Sequence, residues 1–210
     1  MAKHFLAALS KLPLIAILRG LKTAEAPAAL EALLGAGFVM IEIPLNSPEP
    51  FATLATMRHL APAEVLIGAG TVLTKEDVQR VAEAGGDLVV SPNFDVDVVA
   101  ATKRLGLISL PGVATPSEAF AALKAGADGL KAFPAEAIGP AIVKAWRAVI
   151  AADVPIVPVG GITPDAMASF VKAGASGFGL GSALYKPDFS AAQLAERAQA
   201  FVDAWRALSV

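Results

Sequence analysis

The sequence predicts an α/β protein of the (β/α)8 barrel class, and three observations carry that prediction. Short apolar segments alternate with alanine-rich helical segments along the whole chain. Eight such apolar segments are present, each too short and too apolar to face solvent, as is typical of buried parallel strands. No linker or change of composition interrupts the 210 residues. We therefore predict a single domain over residues 1–210, with an open, doubly wound sheet as the structural alternative.

The predicted strands recur at regular intervals, and each is followed by a helical segment. Residues 1–11 come before them, and Ser10 and Lys11 end the apolar stretch there too soon for a signal core or a membrane span. We interpret this segment as a short amphipathic helix that caps one end of the fold. The eight strands are predicted at residues 14–19, 39–43, 65–68, 88–91, 107–110, 129–133, 156–159 and 177–180.

Glycines and capping residues mark where the predicted helices end and begin. Glycine ends a helix without left-handed strain, whereas a hydroxyl followed by proline and an acidic residue is typical of a helix start. The turns that lead into strands contain Gly35-Ala36-Gly37, Gly85-Gly86, Gly106, Gly126-Ala127 and Gly174-Ala175. The predicted helix starts are Ser47-Pro48-Glu49, Thr115-Pro116-Ser117-Glu118 and Thr163-Pro164-Asp165.

The composition favours small-molecule chemistry. The 17 Lys and Arg residues and 19 Asp and Glu residues give a net charge of −2, which offers no positive field for nucleic acid or an anionic membrane. The chain has no cysteine, so disulfides and thiolate metal sites are excluded. His4 and His59 lack metal-ligand spacing, and we predict no metal site. We expect a cytoplasmic protein.

Lys131 is the residue that says most about the chemistry. It is the only charged residue in the apolar run of residues 129–133. This pattern predicts a buried strand in which Lys131 has no adjacent countercharge. A buried, unpaired ammonium is costly, and loss of its proton turns a cation with an ordinary pKa of about 10.4 into a neutral amine. A neutral lysine amine is the nucleophile that forms a Schiff base with a carbonyl substrate.

Glu42 is the expected partner of Lys131. The alternation of side chains along a strand places each of the two residues opposite its apolar neighbours, so both should point inward. Alternate strands of a barrel fill the same interior layer, so the second and sixth predicted strands present Glu42 and Lys131 to one space. The sequence therefore predicts that Glu42, as an acid/base, faces the amine of Lys131. The alternative is a buried structural ion pair.

Two further polar residues follow predicted strands. Arg19 ends the first strand, where it is suited to hold a substrate carboxylate or to orient Glu42, or alternatively to reach solvent. Thr71 follows the third strand, and its hydroxyl is suited to donate to a substrate carboxylate. Thr74 is available to cap the next helix in its place.

Two glycine-containing loops predict a phosphate site. Gly160-Gly161 follows the seventh strand and Gly181-Ser182 follows the eighth, where barrels commonly bind phosphate. Glycine lets backbone N–H groups close on phosphate oxygens, and the next helix start adds a positive dipole end. The alternative is that these glycines serve only tight turns.

These residues form motifs that resemble the 2-keto-3-deoxy-6-phosphogluconate/galactonate aldolase family over nearly the whole chain. The Glu42-Ile43-Pro44-Leu45-Asn46-Ser47 motif is more similar to the galactonate enzymes, because the gluconate enzymes typically show Glu-Val-Thr-Leu-Arg-Thr. Val159 also stands where the gluconate enzymes tend to have threonine. The segment Phe133-Pro134-Ala135-Glu136-Ala137 is closer to the gluconate enzymes. The other matching motifs are Leu18-Arg19-Gly20, Gly68-Ala69-Gly70-Thr71-Val72-Leu73 and Lys131-Ala132-Phe133-Pro134.

The resemblance implies a class I, metal-independent aldolase on a trimeric (β/α)8 barrel. Its expected substrate is 2-dehydro-3-deoxy-6-phosphogalactonate, with the C4 epimer as the alternative, and its products are pyruvate and D-glyceraldehyde 3-phosphate. Lys131 is then the Schiff-base former and Glu42 the acid/base, with no cofactor. The remaining expected substrate contacts are Arg19, Thr71, Pro111, Phe133, Val159, Gly160, Gly161, Gly181 and Ser182.

Two other functions stay open on the sequence, and a third is disfavoured. A sugar-phosphate isomerase or epimerase would share the phosphate loops without requiring an imine-forming lysine. A non-catalytic phosphate-binding barrel would use Glu42 and Lys131 as a structural pair. A metal-dependent pyruvate aldolase is disfavoured, because no clustered histidines or paired carboxylates stand at predicted strand ends.

Overall fold

A computed structural model describes residues 2–208. The α-helices are α1 Ala2–Lys11, α2 Ala26–Ala36, α3 Pro50–Leu60, α4 Lys75–Glu83, α5 Val96–Arg104, α6 Pro116–Lys124, α7 Ala135–Arg147, α8 Met167–Lys172 and α9 Ala191–Ala207. The strands are β1 Leu14–Ile17, β2 Met40–Pro44, β3 Leu66–Gly70, β4 Leu88–Val90, β5 Ile108–Leu110, β6 Gly112–Val113, β7 Leu130–Ala132, β8 Ile156–Pro158 and β9 Phe178–Leu180. Met1 and residues 209–210, the ends of the predicted helix and domain, lie outside the described residues.

The strands form two parallel sheets. One has six strands in the order β5-β4-β3-β2-β1-β9, and the other has three in the order β6-β7-β8. A parallel bridge between Val159 and Gly179 joins the second sheet to β9 of the first. This confirms the predicted α/β class with parallel strands.

One predicted strand is two in the structure. The extended segment predicted at residues 107–110 continues to Val113 and is divided at Pro111 into β5 and β6. Strand β5 pairs with β4, and β6 pairs with β7. Proline has no N–H to donate, and the ladder is interrupted there. The carbonyl of Pro111 still accepts a hydrogen bond from the Lys131 N–H at 3.0 Å, which ties β7 to the break between β5 and β6.

The strands separate two apolar layers. An inner cluster gathers residues from both sheets, and among the helices within residues 2–208 only α1 contributes to it, through Phe5 and Ala8. Helices α2 to α9 pack in the outer cluster, on the other face of the strands. An open, doubly wound sheet would carry helices on both faces, so this distribution disfavours the structural alternative. The inner cluster consists of Phe5, Ala8, Ile15, Ile17, Val39, Met40, Leu66, Leu88, Val90, Ile108, Leu110, Val157 and Val159.

The helix starts agree only in part with the sequence patterns. Thr115 caps α6 as predicted, in a reciprocal capping box with Glu118. The prediction that Ser47 caps a helix is wrong, because α3 begins at Pro50 after Glu49, which has a left-handed φ of 42°. The Ser47 hydroxyl instead accepts a hydrogen bond from the Gly20 N–H at 2.9 Å. A long-range contact between two loops therefore replaces the expected local cap.

Three similar polar clamps hold the amino-terminal side of the strands. In each, an acceptor just before one strand binds both a backbone N–H of a neighbouring strand and a basic side chain from a helix or its end. The acceptors are Asp87, Asp128 and Ser176. Their partners are Ile67 N–H with Arg58, Ser109 N–H with Lys103, and Ile156 N–H with Arg147. These amino-terminal clamps leave the carboxyl ends of the strands to other residues.

Within residues 2–208, no helix combines the length and hydropathy that a membrane crossing requires.

Candidate active site

A cavity of about 590 Å³ opens at the carboxyl ends of the strands. This is the end of parallel α/β folds at which ligands bind. The structure brings nine of the eleven sequence-predicted site residues to its wall. They are Arg19, Thr71, Lys131, Phe133, Val159, Gly160, Gly161, Gly181 and Ser182.

Lys131 lies in the middle of β7, with only 6% of its surface exposed. Its neighbours Leu130 and Ala132 pack in the outer cluster, so the lysine side chain points to the inner side and reaches the cavity. Its ammonium nitrogen lies 4.8 Å from the centroid of the Phe133 ring. The amine is thus presented to a bound molecule from an apolar wall.

Glu42 lies behind the cavity wall in β2 and is 2% exposed. Its neighbours Ile41 and Ile43 pack in the outer cluster, which places the carboxyl group on the inner side as alternation predicts. Oε2 has no hydrogen-bond partner among the described residues. The carboxyl group rests against Gly70, because a methyl group added there would lie 1.3 Å from Oε2.

Burial moves the pKa values of Glu42 and Lys131 toward their neutral forms. Loss of solvent raises the pKa of Glu42, although the positive charges of Lys131 and Arg19 oppose this effect. Loss of solvent also lowers the pKa of Lys131; Glu42 opposes that shift and Arg19 adds to it. The arrangement favours a neutral amine beside a protonatable carboxyl group, which is the combination that nucleophilic attack on a ketone requires.

Direct ion pairing between Glu42 and Lys131 is not observed. Within residues 2–208, Lys and Arg side chains lie within 4.0 Å of a carboxylate only in other pairs. Those pairs are Lys22–Glu25, Arg58–Asp87, Arg80–Asp77 and Lys103–Asp128. A buried structural ion pair would need close, hydrogen-bonded geometry to offset its desolvation, so this observation disfavours the structural alternative.

Arg19 and its neighbours join the loops that follow β1 and β2. Arg19 Nη1 donates a hydrogen bond to Asn46 Oδ1 at 2.6 Å, beside the contact between Gly20 and Ser47. Arg19 is exposed, yet its guanidinium is directed along the cavity wall by this contact. The sequence gives no sign of the pairing, since 27 residues separate the two side chains.

Replacing Asn46 by alanine is expected to weaken substrate binding through Arg19. A hydrogen bond to a charged group contributes about 1.5–3 kcal/mol, and because this bond is exposed we take the lower value and expect kcat/KM to fall about tenfold, chiefly through KM. Steady-state kinetics of Asn46→Ala, Arg19→Ala and the double variant measure the effect. If Asn46 acts through Arg19, the two losses will not add. Full additivity would show that Asn46 acts by another route.

The two glycine loops follow neighbouring strands, which are joined by the bridge between Val159 and Gly179, and Thr71 also lines the cavity. Gly160 and Gly161 have positive φ values of 110° and 62°. Thr71 also has a positive φ, 56°, which is unusual for a residue with a branched side chain. Thr74 caps α4, because its hydroxyl accepts a hydrogen bond from the Asp77 N–H at 3.1 Å, so the Thr71 hydroxyl is not needed for that cap.

The other two predicted residues lie elsewhere. Glu42 is behind the wall, and Pro111 is buried at the break between β5 and β6, where its carbonyl holds the Lys131 backbone. Sequence reasoning also missed wall residues that come from the next helix or loop. The missed polar residues are Glu136, Thr163, Tyr185, Lys186 and Arg197.

Tyr185 is the most buried of the missed polar residues. Its backbone N–H donates to the Gly181 carbonyl at 3.0 Å, which closes the turn after β9. Burial raises the pKa of Tyr185 to about 12, and Glu25 and Asp188 add to this effect. Its hydroxyl has no hydrogen-bond partner among the described residues. No signal in the sequence distinguishes it from a core tyrosine.

His, Asp and Glu side chains do not gather in any group of three suited to a metal ion within residues 2–208. The polar groups that line the cavity are lysine amines, a carboxyl group, hydroxyl groups, guanidinium groups and backbone amides. Such a set suits a substrate that has a carbonyl group and negatively charged ends.

Comparison with known proteins gives one consistent answer. The family model described as KDPG and KHG aldolase matches residues 6–199. The chain is 50% identical to the probable 2-dehydro-3-deoxy-6-phosphogalactonate aldolase of Rhizobium meliloti over 93% of this chain and 92% of that protein. It is 45% identical to the 2-dehydro-3-deoxy-6-phosphogalactonate aldolase of Escherichia coli K12, over 94% and 96%.

A solved structure agrees with the sequence relatives. The native KDPGal structure superposes with a TM-score of 0.93 at 45% identity, covering 95% of this chain and 97% of the other. Similarity at this level extends over nearly the whole length of both chains. The chain belongs to the KDPG and KHG aldolase family, and it is a carbon–carbon lyase.

Proposed function

We propose that the protein is a class I aldolase that reversibly cleaves 2-dehydro-3-deoxy-6-phospho-D-galactonate to pyruvate and D-glyceraldehyde 3-phosphate. The observation that carries the proposal is the buried Lys131 amine, which opens on the cavity beside the carboxyl group of Glu42. The names of the relatives from Rhizobium meliloti and Escherichia coli support the choice of substrate.

The reaction begins at the C2 ketone of the sugar acid. The neutral Lys131 amine attacks C2 and forms a carbinolamine, and Glu42 transfers protons so that the C2 oxygen leaves as water. The product is a protonated imine between Lys131 and C2. Because the imine carries a positive charge, it withdraws electrons from the C3–C4 bond more strongly than the ketone does.

Cleavage then follows from a proton transfer at C4. Glu42 accepts the proton of the C4 hydroxyl, directly or through water, and the electrons of the C3–C4 bond move to the imine and form an enamine. The C4 fragment leaves as glyceraldehyde 3-phosphate. Protonation of C3 and addition of water to the imine release pyruvate and return the Lys131 amine. No metal ion takes part in the proposed mechanism.

The other side chains hold the two ends of the substrate. Arg19 and Thr71 contact the carboxylate end near Lys131, while Gly160, Gly161, Gly181 and Ser182 hold the phosphate. Fixing both ends aligns the C3–C4 bond with the imine, which lowers the entropic part of the activation free energy. Phe133 and Val159 complete the proposed contacts, whereas Pro111 acts only through its hydrogen bond to the Lys131 backbone.

The C4 epimer, 2-dehydro-3-deoxy-6-phosphogluconate, is the second candidate substrate. The observation in its favour is Glu136, which lines the cavity and belongs to the segment of the chain that resembles the gluconate enzymes. Val159 supports the galactonate epimer, because it also lines the cavity and offers no hydroxyl to the C4 oxygen.

We also propose that the two sheets close into one (β/α)8 barrel. The bridge between Val159 and Gly179 supports closure on one side. On the other side β5 and β6 lie on either side of Pro111 as two halves of one strand, each paired to a different sheet. The resemblance to the family further supports a single domain, a homotrimer and a cytoplasmic location.

Reduction with borohydride in the presence of pyruvate tests the mechanism. Pyruvate is the smaller product, so its imine with Lys131 will be trapped as a secondary amine and located by peptide mass mapping. We expect one adduct, on Lys131. Folded protein that gives no adduct would contradict the mechanism and favour an isomerase or a binding protein. Comparing kcat/KM for the two epimers then assigns the substrate.

The pH dependence of trapping has an expected direction. Attack requires the neutral amine, and the lowered pKa of Lys131 means that this form persists to lower pH than in an exposed lysine. Adduct formation will therefore decrease only when the pH falls below the range of ordinary lysines, near 10.4. A rate that already declines as the pH falls through that ordinary range, near 10.4, would contradict the effect of burial.

A further inference from the structure

Glu136 lies against the two glycines that the proposed function assigns to phosphate. It is in the first turn of α7, four residues beyond the end of β7. A methyl group added to Gly160 would lie 2.4 Å from Glu136 Oε2, and one added to Gly161 would lie 2.4 Å from its Cγ. The carboxylate therefore packs on the Gly160–Gly161 side of the cavity that it lines.

The Glu136 carboxylate is not neutralised by a neighbouring cation. The four ion pairs found within residues 2–208 at 4.0 Å do not include it. It is also exposed, so it stays available to a bound molecule. A negative charge at this place is opposite in sign to what a phosphate site otherwise requires.

Two basic side chains of the cavity come from the turn after β9 and from α9. Lys186 and Arg197 line the cavity beside the turn that follows β9. Arg197 is held there, since its Nη1 donates to the Ala183 carbonyl at 3.1 Å and its guanidinium lies 4.6 Å from the centroid of the Phe189 ring. The rim therefore carries one acidic side chain from α7 and two basic side chains from the turn after β9 and α9.

A phosphate monoester carries about −1.5 to −2 charges at pH 7. At this rim it is repelled by Glu136 and attracted by Lys186 and Arg197, and both effects are moderate because all three side chains are exposed to solvent. A substrate that ends in a hydroxyl group escapes the repulsion. It also gains less from the cations. Removing the charge of Glu136 should therefore change the affinity for the phosphorylated substrate more than the affinity for the unphosphorylated one.

On the basis of the proposed function, we propose that Glu136 is a specificity-determining residue that lowers the preference for a phosphorylated over an unphosphorylated sugar acid. Its carboxylate opposes the phosphate at Gly160 and Gly161 and displaces it toward Lys186 and Arg197. The residue acts on binding at the far end of the substrate and has no part in the chemistry at Lys131.

The test compares Glu136→Gln with Asp165→Asn. The first change removes the charge and keeps the side-chain shape; the second removes an equal charge from the same loop region, at an exposed residue outside the cavity wall. The substrates are 2-dehydro-3-deoxy-6-phosphogalactonate and its dephosphorylated form. We expect Glu136→Gln to raise kcat/KM for the phosphorylated substrate about threefold to tenfold through KM, with a change of less than about twofold for the other.

Binding of inorganic phosphate, measured by calorimetry, gives a readout that does not depend on turnover. Its Kd is expected to fall by a similar factor in Glu136→Gln and to stay unchanged in Asp165→Asn. An unchanged Kd and an unchanged substrate ratio, or an equal effect of both variants, would overturn the proposal. Trapping of pyruvate on Lys131 needs no phosphate group. A missing pyruvate adduct would therefore count against the proposed function and not against the role of Glu136.

Discussion

Lys131→Met is expected to abolish cleavage while the protein remains folded. Methionine has a similar length and no polar atom, so it suits the 6% exposed position among inner residues. Without the amine no imine forms, and the carbon–carbon bond loses its electron acceptor. Because enzymes typically accelerate reactions by 10⁶ or more, we expect kcat to fall by more than about 10³-fold.

Two measurements make this test decisive. Lys144→Met, on an exposed face of α7, makes the same chemical change away from the cavity and is expected to keep full activity. Thermal unfolding shows whether Lys131→Met is folded; a change of about 1 kcal/mol in the free energy of unfolding moves the midpoint by roughly 2–4 °C in a chain of this size. A folded variant with normal turnover would remove Lys131 from the mechanism.

Glu42→Gln is expected to lower kcat by about 10²–10⁴-fold, the usual contribution of a positioned acid/base. The amide retains the volume of the carboxyl group beside Gly70 but neither donates nor accepts the transferred proton. The loss should appear in kcat, since Glu42 lies behind the cavity wall and contributes little binding surface. Single-turnover measurements will separate slow imine formation from slow cleavage of the C3–C4 bond.

Gly70→Ala reaches the same carboxyl group without changing it chemically. The added methyl would lie 1.3 Å from Glu42 Oε2, so the carboxyl group must move, and a shift of about 1 Å can cost about 10²-fold in rate. Gly35→Ala is the matched control, because a methyl group there meets no atom within 4 Å. Unchanged kcat in both Glu42→Gln and Gly70→Ala would exclude Glu42 as the acid/base.

The inward direction of Glu42 and Lys131 was predictable because strand geometry has a fixed period of two. Each residue is flanked by apolar side chains, and burial of those neighbours in the outer layer leaves only one direction for the charged group. The catalytic roles of the two residues remain predictions. The α/β class was predictable for a related reason, since the apolar segments are too short to be anything but buried strands.

The contacts between loops were not predictable from local patterns. Ser47 matched the pattern of a helix cap, yet its hydroxyl binds the Gly20 backbone from another loop. Asn46 and Arg19 are separated by 27 residues, and neither sits in a pattern that specifies the other. In the sequence Glu136 is only part of a family motif. Its contact with the Gly160–Gly161 turn could not be predicted, because it depends on how α7 packs in three dimensions.

The amino-terminal clamps have a consequence for how such a protein changes over evolutionary time. Asp87, Asp128 and Ser176 fasten strand to helix at the edge opposite the cavity. Mutations that alter the rim therefore leave these fastenings in place. Substitutions at the cavity end can therefore change the substrate without breaking these contacts, because different residues bind the substrate and fasten the strands to the helices.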